Sequence, residues 1–190
     1  MEEKKNFIAL LVGPSASGKS TIAKKLEEMY GWQQAQSITT RPRRSANETG
    51  HIFVSDEEFN KISPEEMVAY TDYAGHKYCA TQKQIEEAQI YVIDIDGVID
   101  FRSNYHGDKE VFTFYVETPS KIIAERLKKR GVSQEEIDLR LKVDESAFEQ
   151  KRRDMIDPVY IFGFGEPDGG ATAIHAYVMA HDGEKLNKED

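Results

Sequence analysis

A glycine-rich segment near the start of the chain has the residue types and spacing of a phosphate-binding loop. The segment GPSASGKST runs from Gly13 to Thr21, and its two glycines are followed by lysine and serine. Glycine lets the backbone turn tightly around an anion with N–H groups directed inward, and the start of a helix adds partial positive charge. The apolar run FIALLV before the segment and the helix-like AKKLEEMY after it match the strand and helix that flank such loops. This context favours an anion site over the alternative, a plain turn with a solvated lysine.

Each side chain of such a loop has a defined task. Lys19 would reach the β- and γ-phosphates of a nucleoside triphosphate. The Ser20 hydroxyl would ligate Mg²⁺, which is held mostly by water and phosphate oxygens. The residues expected to contact the triphosphate are Gly13, Ser15, Ala16, Ser17, Gly18, Lys19, Ser20 and Thr21.

Composition limits the class of protein and its partners. The 190 residues suit one α/β domain, and a net charge of −9 disfavours a nucleic-acid-binding surface. The single cysteine, Cys79, excludes an internal disulfide framework, and the apolar run near the N-terminus is too short for a signal peptide or a membrane span. We therefore expect a cytoplasmic protein with no nucleic-acid, membrane or obligate protein partner.

Apolar runs alternate with helix-length segments along most of the chain. The predicted strands are rich in β-branched and aromatic residues and cover 7–12, 90–95, 111–116 and 159–162. The predicted helices lie near 19–30, 119–130 and 134–155. Such alternation predicts an α/β fold with a central parallel sheet flanked by helices. Residues from about 33 to 81 break the pattern and predict an antiparallel insertion with a hairpin around Ala74-Gly75.

A basic loop follows the predicted phosphate-loop helix. The segment SITTRPRR places Arg41, Arg43 and Arg44 close together. Guanidinium groups match phosphate oxygens in shape, so two arginines and a tyrosine hydroxyl could hold a monophosphate beside the triphosphate tail. A basic loop alone is also typical of a solvated surface. The phosphate loop upstream favours the acceptor interpretation.

Two acidic residues mark the end of the predicted strand IYVIDI. Alternation along the strand would direct the carboxylates of Asp94 and Asp96 to one face. Parallel α/β sheets bind ligands at the carboxyl ends of their strands, and acidic residues there orient Mg²⁺. Two solvated acids before a turn at Gly97 are the alternative. Asp94 is the candidate metal ligand, and which of the two carboxylates serves the metal or the acceptor stays open.

The arginines of the segment ERLKKRGVSQEEIDLRLK predict a lid. Arg130 and Arg140 could close over the phosphates and stabilise the charge that spreads over the transferring group. Closure would also keep water from competing as the nucleophile. Lys128 and Lys129 are better explained as helix C-terminal cations before Gly131.

From about Phe7 to Val159 the chain resembles the guanylate kinase family. The matching pieces, in the family's order, are GPSASGKST, SITTRPRR, FVSDEEF, AGHKY, DIDG and ETPSKIIAERLKKRG, followed by a helix that contains LRL. The resemblance implies a P-loop NTPase fold and Mg²⁺-dependent transfer of phosphate from ATP to a nucleoside monophosphate, with GMP as the first candidate. It also implies a core at about 1–32, 82–130 and 155–185, a monophosphate-binding region at about 33–81 and a lid at about 130–155.

The same resemblance assigns roles to residues of the inserted region. By position in the family's motifs, Arg41, Arg44 and Tyr78 would hold the acceptor phosphate, and Ser37 would contact the base. Asp94 or Asp96 would serve the acceptor or the metal.

Base recognition departs from the family's pattern. Ala69 stands where the family has a glutamate that accepts from the guanine edge, and Ala80 replaces a hydroxyl residue. His51 stands where a tyrosine is usual, and Phe162 where the family has an asparagine near the adenine. Guanine presents N–H donors that need acceptors, so a site without them discriminates less strongly.

Three other functions therefore stay open at the level of the sequence. The first is a P-loop kinase of a different monophosphate or of a sugar phosphate. The second is a noncatalytic interaction module, although such a module has no need of Lys19 or Ser20. The third is a GTPase switch, since DIDG fits D-x-x-G and NKED at Asn187–Asp190 fits N-K-x-D, but the second match lies in a polar tail with no preceding strand.

Overall fold

The computed structural model of the protein describes residues 6–43, 46, 48–73, 75–151, 159–163 and 165–181. The predicted acceptor ligand Arg44, the side chain of Phe162 and the tail motif Asn187–Asp190 lie outside the described part of the chain.

The described residues form nine strands, seven helices and one 3-10 helix at Pro64–Glu66. The strands are β1 (Phe7–Val12), β2 (Gln34–Ala35), β3 (Ser37–Thr39), β4 (His51–Phe53), β5 (Met67–Tyr73), β6 (His76–Thr81), β7 (Ile90–Val92), β8 (Glu110–Glu117) and β9 (Val159–Phe162). The helices are α1 (Lys19–Tyr30), α2 (Asp56–Phe59), α3 (Gln82–Glu87), α4 (Ile95–Asn104), α5 (Ser120–Lys129), α6 (Gln134–Lys151) and α7 (Pro167–His181).

A five-stranded parallel sheet with the order β2-β7-β1-β8-β9 forms the centre of the fold. All six residues of β1 are buried, as expected for a central strand covered on both faces. Successive side chains alternate between the faces. Ile8 and Leu10 pack with helix α4 on one face, and Phe7 and Leu11 pack with helices α1 and α7 on the other. The predicted α/β fold is therefore confirmed.

A second, four-stranded sheet with the order β4-β3-β6-β5 contains the insertion. Strands β5 and β6 form the predicted hairpin, in which Ala69 pairs with Ala80. The antiparallel prediction is wrong for one pair, because β3 and β4 run parallel. Strand β2 lies within the range predicted for the insertion but belongs to the central sheet.

The acidic segment after β7 is a helix start, so the strand predicted for 90–95 is too long. Strand β7 ends at Val92, and Asp94 is the N-cap of α4, whose carboxylate accepts from the Gly97 N–H at 2.7 Å. Aspartate favours this position because its side chain satisfies an N–H that the helix leaves unpaired. Asp96 lies in the first turn of the helix. The prediction that strand alternation aligns the two carboxylates is therefore wrong.

The region predicted as a lid, about 130–155, contains α6, which packs against α5 and the phosphate loop. Ile137 of α6 is buried against Ile123 and Leu127 of α5, and Ala16 of the loop packs against the same cluster. This contact sets the position of α6 relative to the loop. None of the helices in the described ranges combines the length and the apolar character needed to cross a membrane.

Candidate active site

The phosphate loop joins β1 to α1 and has a backbone that depends on glycine. A Cβ atom at Gly13 would lie 2.7 Å from the carbonyl oxygen of Val116 on the neighbouring strand β8, so a larger residue does not fit there. Gly18, at the N-cap of α1, has a φ of 113°, which disfavours residues with a side chain. Close packing against β8 and the turn into α1 therefore give the loop its shape.

Lys19 lies at the first position of α1 and reaches back across the loop. Its Nζ donates to the carbonyl oxygens of Gly13 at 2.7 Å and Pro14 at 2.8 Å. Burial lowers the pKa of the Lys19 ammonium to about 8, while the charges of Asp144 and Asp94 raise it and that of Arg130 lowers it. The charged form is thus only weakly favoured near neutral pH, and an anion in the loop would stabilise it.

The opposite side of the loop is held by Arg126, which the sequence analysis missed. Its Nη1 donates to the carbonyl oxygens of Ala16 and Ser17, both at 3.0 Å, and its Nη2 donates to that of Gly163 at 2.8 Å. The Thr118 hydroxyl also donates to the Ser17 oxygen, at 2.7 Å. These bonds fix the loop carbonyls away from the side on which an anion would bind. The sequence offers no signal for this role, since Arg126 lies in a helix with other basic residues.

Two cavities lie on either side of the loop. One, of about 330 Å³, extends from the loop to the second sheet, and the other, of about 300 Å³, lies beside α5 and β9. The predicted site residues that line the larger cavity are Gly13, Ser15, Lys19, Ser37, Tyr78, Asp94 and Asp96. Those that line the smaller cavity are Ala16, Gly18, Thr21 and Arg130. The fold thus brings together residues from distant parts of the sequence.

Asp94 caps helix α4 and also lines the larger cavity. Its Oδ1 accepts from the Gly97 N–H and, at 3.2 Å, from the Thr71 hydroxyl. Burial raises the pKa of Asp94, and these two hydrogen bonds and the charge of Lys19 lower it, while Asp96 raises it. The carboxylate is therefore held in a fixed orientation within the larger cavity, close enough to Lys19 for their charges to interact.

The far end of the larger cavity has hydroxyl groups and small side chains. The Ser37 hydroxyl donates to the Tyr91 hydroxyl at 3.2 Å, and both residues are buried. Ala69 lines the cavity, and its partner Ala80 is also buried. A methyl group thus occupies the position at which the family resemblance would place a glutamate.

Arg41 lies beside this cavity but is already paired. Its guanidinium donates two hydrogen bonds to the Glu48 carboxylate, at 2.7 and 3.3 Å, and Arg41 is only 9% exposed. The hydrogen bonds with Glu48 raise the pKa of Arg41, and a hydrogen bond with Tyr78 raises it further. Tyr78 lines the cavity, so in this conformation Arg41 contacts a residue of the cavity wall.

The two predicted lid arginines occupy different places. Arg130 follows α5 and lines the smaller cavity. Arg140 on α6 forms an ion pair with Glu136, one turn away, at 2.6 Å. A third lid residue, Asp144, contacts the loop directly, and its Oδ2 accepts from the Ser15 N–H at 3.2 Å. The sequence analysis missed Asp144, because nothing in the surrounding helical sequence distinguishes it from the solvated acids nearby.

The fold and the site together define a P-loop nucleotide-binding protein. A loop with paired glycines and a lysine joins a central parallel strand to a helix, with a cavity on each side of it. Such an arrangement binds a phosphate chain through backbone N–H groups and a lysine.

Comparisons with known proteins identify the family. A family model described as guanylate kinase matches residues 5–159. A guanylate kinase from the Aster yellows witches'-broom phytoplasma is 32% identical over 143 residues, which cover 70% of this chain and 67% of that protein. A guanylate kinase from Bartonella quintana is 30% identical over 151 residues, which cover 74% and 68% of the two chains. The chain therefore belongs to the guanylate kinase family and is a nucleoside monophosphate kinase.

A solved structure supports the same fold. The crystal structure of guanylate kinase from Anaplasma phagocytophilum superimposes with a TM-score of 0.69 at 22% identity and covers 95% of this chain and 88% of that one. The resemblance drawn from the sequence motifs is thus confirmed in both family and fold.

We expect Arg126→Ala to weaken ATP binding by about 10- to 100-fold, because three charge-assisted hydrogen bonds that shape the loop would be lost. Isothermal titration calorimetry measures the dissociation constant directly. Lys128→Ala is the matched control, since Lys128 is an exposed cation on the same helix. Equal affinity in the Arg126 variant and the unchanged protein would contradict the supporting role.

We expect ATP binding to become pH-dependent above pH 8, because the pKa of Lys19 in the ligand-free protein is about 8. Below this pKa Lys19 is already charged, and above it binding must take up a proton. The dissociation constant should therefore rise by up to about tenfold per pH unit between about pH 8 and pH 10. Titrations with metal-free ATP test this, and Lys19→Ala should bind weakly without that rise. A constant affinity across the range in the unchanged protein would rule out the assignment.

Proposed function

We propose that the protein transfers the γ-phosphoryl group of ATP to the phosphate of GMP and forms GDP. The observation that carries the proposal is the position of Lys19 and the phosphate loop between two cavities, one of which reaches Ser37 and Tyr78. Membership of the guanylate kinase family and the names of the relatives support ATP and GMP as the substrates. The cytoplasm remains the expected location.

In this proposal ATP extends along the loop with its phosphates against the backbone N–H groups. Lys19 would exchange its bonds to the Gly13 and Pro14 carbonyl oxygens for bonds to the β- and γ-phosphates. Gly18 and Thr21 line the smaller cavity, which is the candidate site for the rest of the donor nucleotide. The N-terminus of α1 adds a favourable partial charge.

The donor set fits Mg²⁺ bound mainly through water and phosphate oxygens. Ser20 is exposed in the first turn of α1, and Asp94 is oriented in the larger cavity. Within the described residues, no three His, Cys, Asp or Glu side chains cluster closely enough to form a protein cage for a metal. Mg²⁺ typically keeps several waters and needs few protein ligands, so Ser20 and Asp94 would hold it with the phosphates. When bound, the ion would neutralise charge on the transferring group.

The acceptor would occupy the larger cavity with its phosphate toward the loop. Ser37 would contact the base, and Tyr78, Arg41 and Arg44 would hold the phosphate. Glu48 and Pro42 bind some of the five N–H donors of the Arg41 guanidinium, and the remaining donors would face the acceptor phosphate. Asp96 and Asp94 line the same cavity and could orient the acceptor's hydroxyl groups.

Catalysis in this site would depend on positioning and charge stabilisation. An acceptor phosphate oxygen attacks the γ-phosphorus in line with the departing ADP oxygen, and negative charge spreads over the transferring group. Arg130 and Arg140 are the lid cations that would approach this charge when the lid closes. Arg140 must then leave Glu136, an exposed pair whose separation costs little.

An acceptor panel tests the substrate assignment. ADP release from Mg-ATP is measured with GMP, dGMP, AMP, CMP, UMP and ribose phosphates, each alone. The proposal predicts the highest kcat/KM with GMP. If no acceptor stimulated ADP release, the assignment of phosphoryl transfer would be overturned.

A kinase of a different monophosphate is the second candidate, favoured by the paired alanines Ala69 and Ala80. Buried methyl groups at these positions cannot accept hydrogen bonds from guanine N–H groups. Higher kcat/KM with a non-guanine acceptor would favour this candidate and leave the kinase assignment intact.

Variants at Lys19 and Arg41 should separate donor chemistry from acceptor binding. We expect Lys19→Ala to lower kcat by about 100-fold or more, because it removes charge stabilisation at the transferring group. We expect Arg41→Ala to raise the KM for the acceptor about 10- to 100-fold with a smaller change in kcat. Steady-state kinetics with each substrate varied in turn distinguish the two. Arg43→Ala, in the same loop but stacked on Phe53, is the control for Arg41, and full turnover in Lys19→Ala would refute the role of that lysine.

A further inference from the structure

A carboxylate of the lid lies against the phosphate loop. The Asp144 Oδ2 accepts the backbone N–H of Ser15 at 3.2 Å, although the two residues are 129 positions apart. Ser15 belongs to the loop whose N–H groups are expected to bind phosphate oxygens. A carboxylate oxygen, like a phosphate oxygen, is a charged acceptor of N–H bonds. Asp144 therefore makes a contact of the kind that the loop is built to make with a nucleotide.

The surrounding charges favour an anion at this place. Asp144 lines the larger cavity together with Lys19 and Asp94, and the opposite charges of Asp144 and Lys19 attract each other. Burial raises the pKa of Asp144, and the hydrogen bond from Ser15 and the charges of Lys19 and of Arg140, one helical turn earlier, oppose that rise. The Asp144 carboxylate thus interacts with both kinds of group, backbone N–H and cation, that would hold the triphosphate.

Apolar packing keeps the carboxylate in position. Ile137 and Leu141 of α6 belong to the cluster that joins α5, α6 and Ala16 of the loop. Ile137, Leu141 and Asp144 are spaced at helical intervals of four and three residues, so they lie on one face of α6. The face that packs the lid onto the loop is therefore the face that presents Asp144 to it.

We propose that Asp144 is an internal competitor of the triphosphate for the phosphate loop. In this structure the carboxylate holds α6 against the loop, and it must withdraw from the Ser15 N–H and from Lys19 when phosphate binds. Two anions next to one loop repel each other, so binding of the nucleotide and withdrawal of Asp144 are coupled. Because Arg140 lies on the same helix, this movement also repositions a lid cation.

The inference rests on the proposed use of ATP as the donor and goes beyond it. It predicts that the phosphate loop has a lower affinity for phosphate chains than the same loop without the carboxylate. It also predicts that the difference depends on the phosphates of the ligand and not on the base.

Asp144→Asn tests the competition, because it removes the charge and keeps the shape. We expect the variant to bind ATP about tenfold more tightly than the unchanged full-length protein, as measured by calorimetry in EDTA. EDTA removes divalent ions, so a metal bridge between Asp144 and the nucleotide cannot contribute. Asp144→Ala, which removes the hydrogen bond as well, should bind ATP more tightly too.

Two comparisons separate competition from a general change of the lid. Adenosine, which has no phosphate, should bind with equal affinity to the unchanged protein and the Asp144 variants, whereas inorganic tripolyphosphate should follow ATP. Asp138→Asn is the matched control, since Asp138 is exposed on the same helix and pairs with Gln134. This variant should bind ATP with unchanged affinity.

The inference is overturned if both Asp144 variants bind ATP as weakly as the unchanged protein or more weakly. It is also overturned if adenosine gains as much affinity as ATP. If no form of the protein bound ATP at all, the proposed function would fail together with the inference. Equal ATP binding by all forms would overturn the inference alone.

Discussion

The site depends on the way Arg126 holds the back of the phosphate loop. Its guanidinium binds the carbonyl oxygens of Ala16, Ser17 and Gly163, which joins the loop to α5 and to the end of β9. When a carbonyl oxygen is held on one side of the loop, the backbone N–H groups are presented on another side. The bonds of Arg126 therefore help direct the N–H groups of the loop toward the side on which an anion would bind. On that other side the Ser15 N–H meets the Asp144 carboxylate. The Arg126 cation on one side of the loop and the Asp144 carboxylate on the other are therefore two parts of one electrostatic arrangement.

The same arrangement explains how an acidic chain maintains cationic sites. The net charge is −9, yet a phosphate site needs positive charge at a few points. In this structure each of these cations faces a carboxylate of the protein: Lys19 faces Asp144, Arg41 binds Glu48 and Arg140 binds Glu136. Such pairing stabilises the isolated cations but opposes their use by a ligand. In the proposed function, Lys19 and Arg140 would exchange these partners for phosphate oxygens.

Phosphate binding and base binding rest on different parts of the fold. The phosphate loop is fixed by close backbone packing, as at Gly13 against Val116, which tolerates no added atoms. The far end of the larger cavity, where the proposed site would bind the base, is lined by side chains that include Ala69 of the hairpin. In the proposed site the phosphates would thus depend on backbone packing, and the base on a few side chains.

The sequence by itself determined four strands of the central sheet, the phosphate loop and the hairpin, because each depends on local patterns: apolar runs, glycine spacing and a turn. It also identified the family from its motifs. It was wrong about Asp94, since helix capping ended β7 three residues early, and about the pairing of β3 with β4, which run parallel. The contacts of Arg126, Glu48 and Asp144 were decided only by tertiary structure. Arg126 and Asp144 act on partners brought close by the packing of separate elements, and no spacing along the chain records that proximity. Glu48 lies only seven residues from Arg41 in the same loop, but the loop sequence carries no pattern that pairs the two.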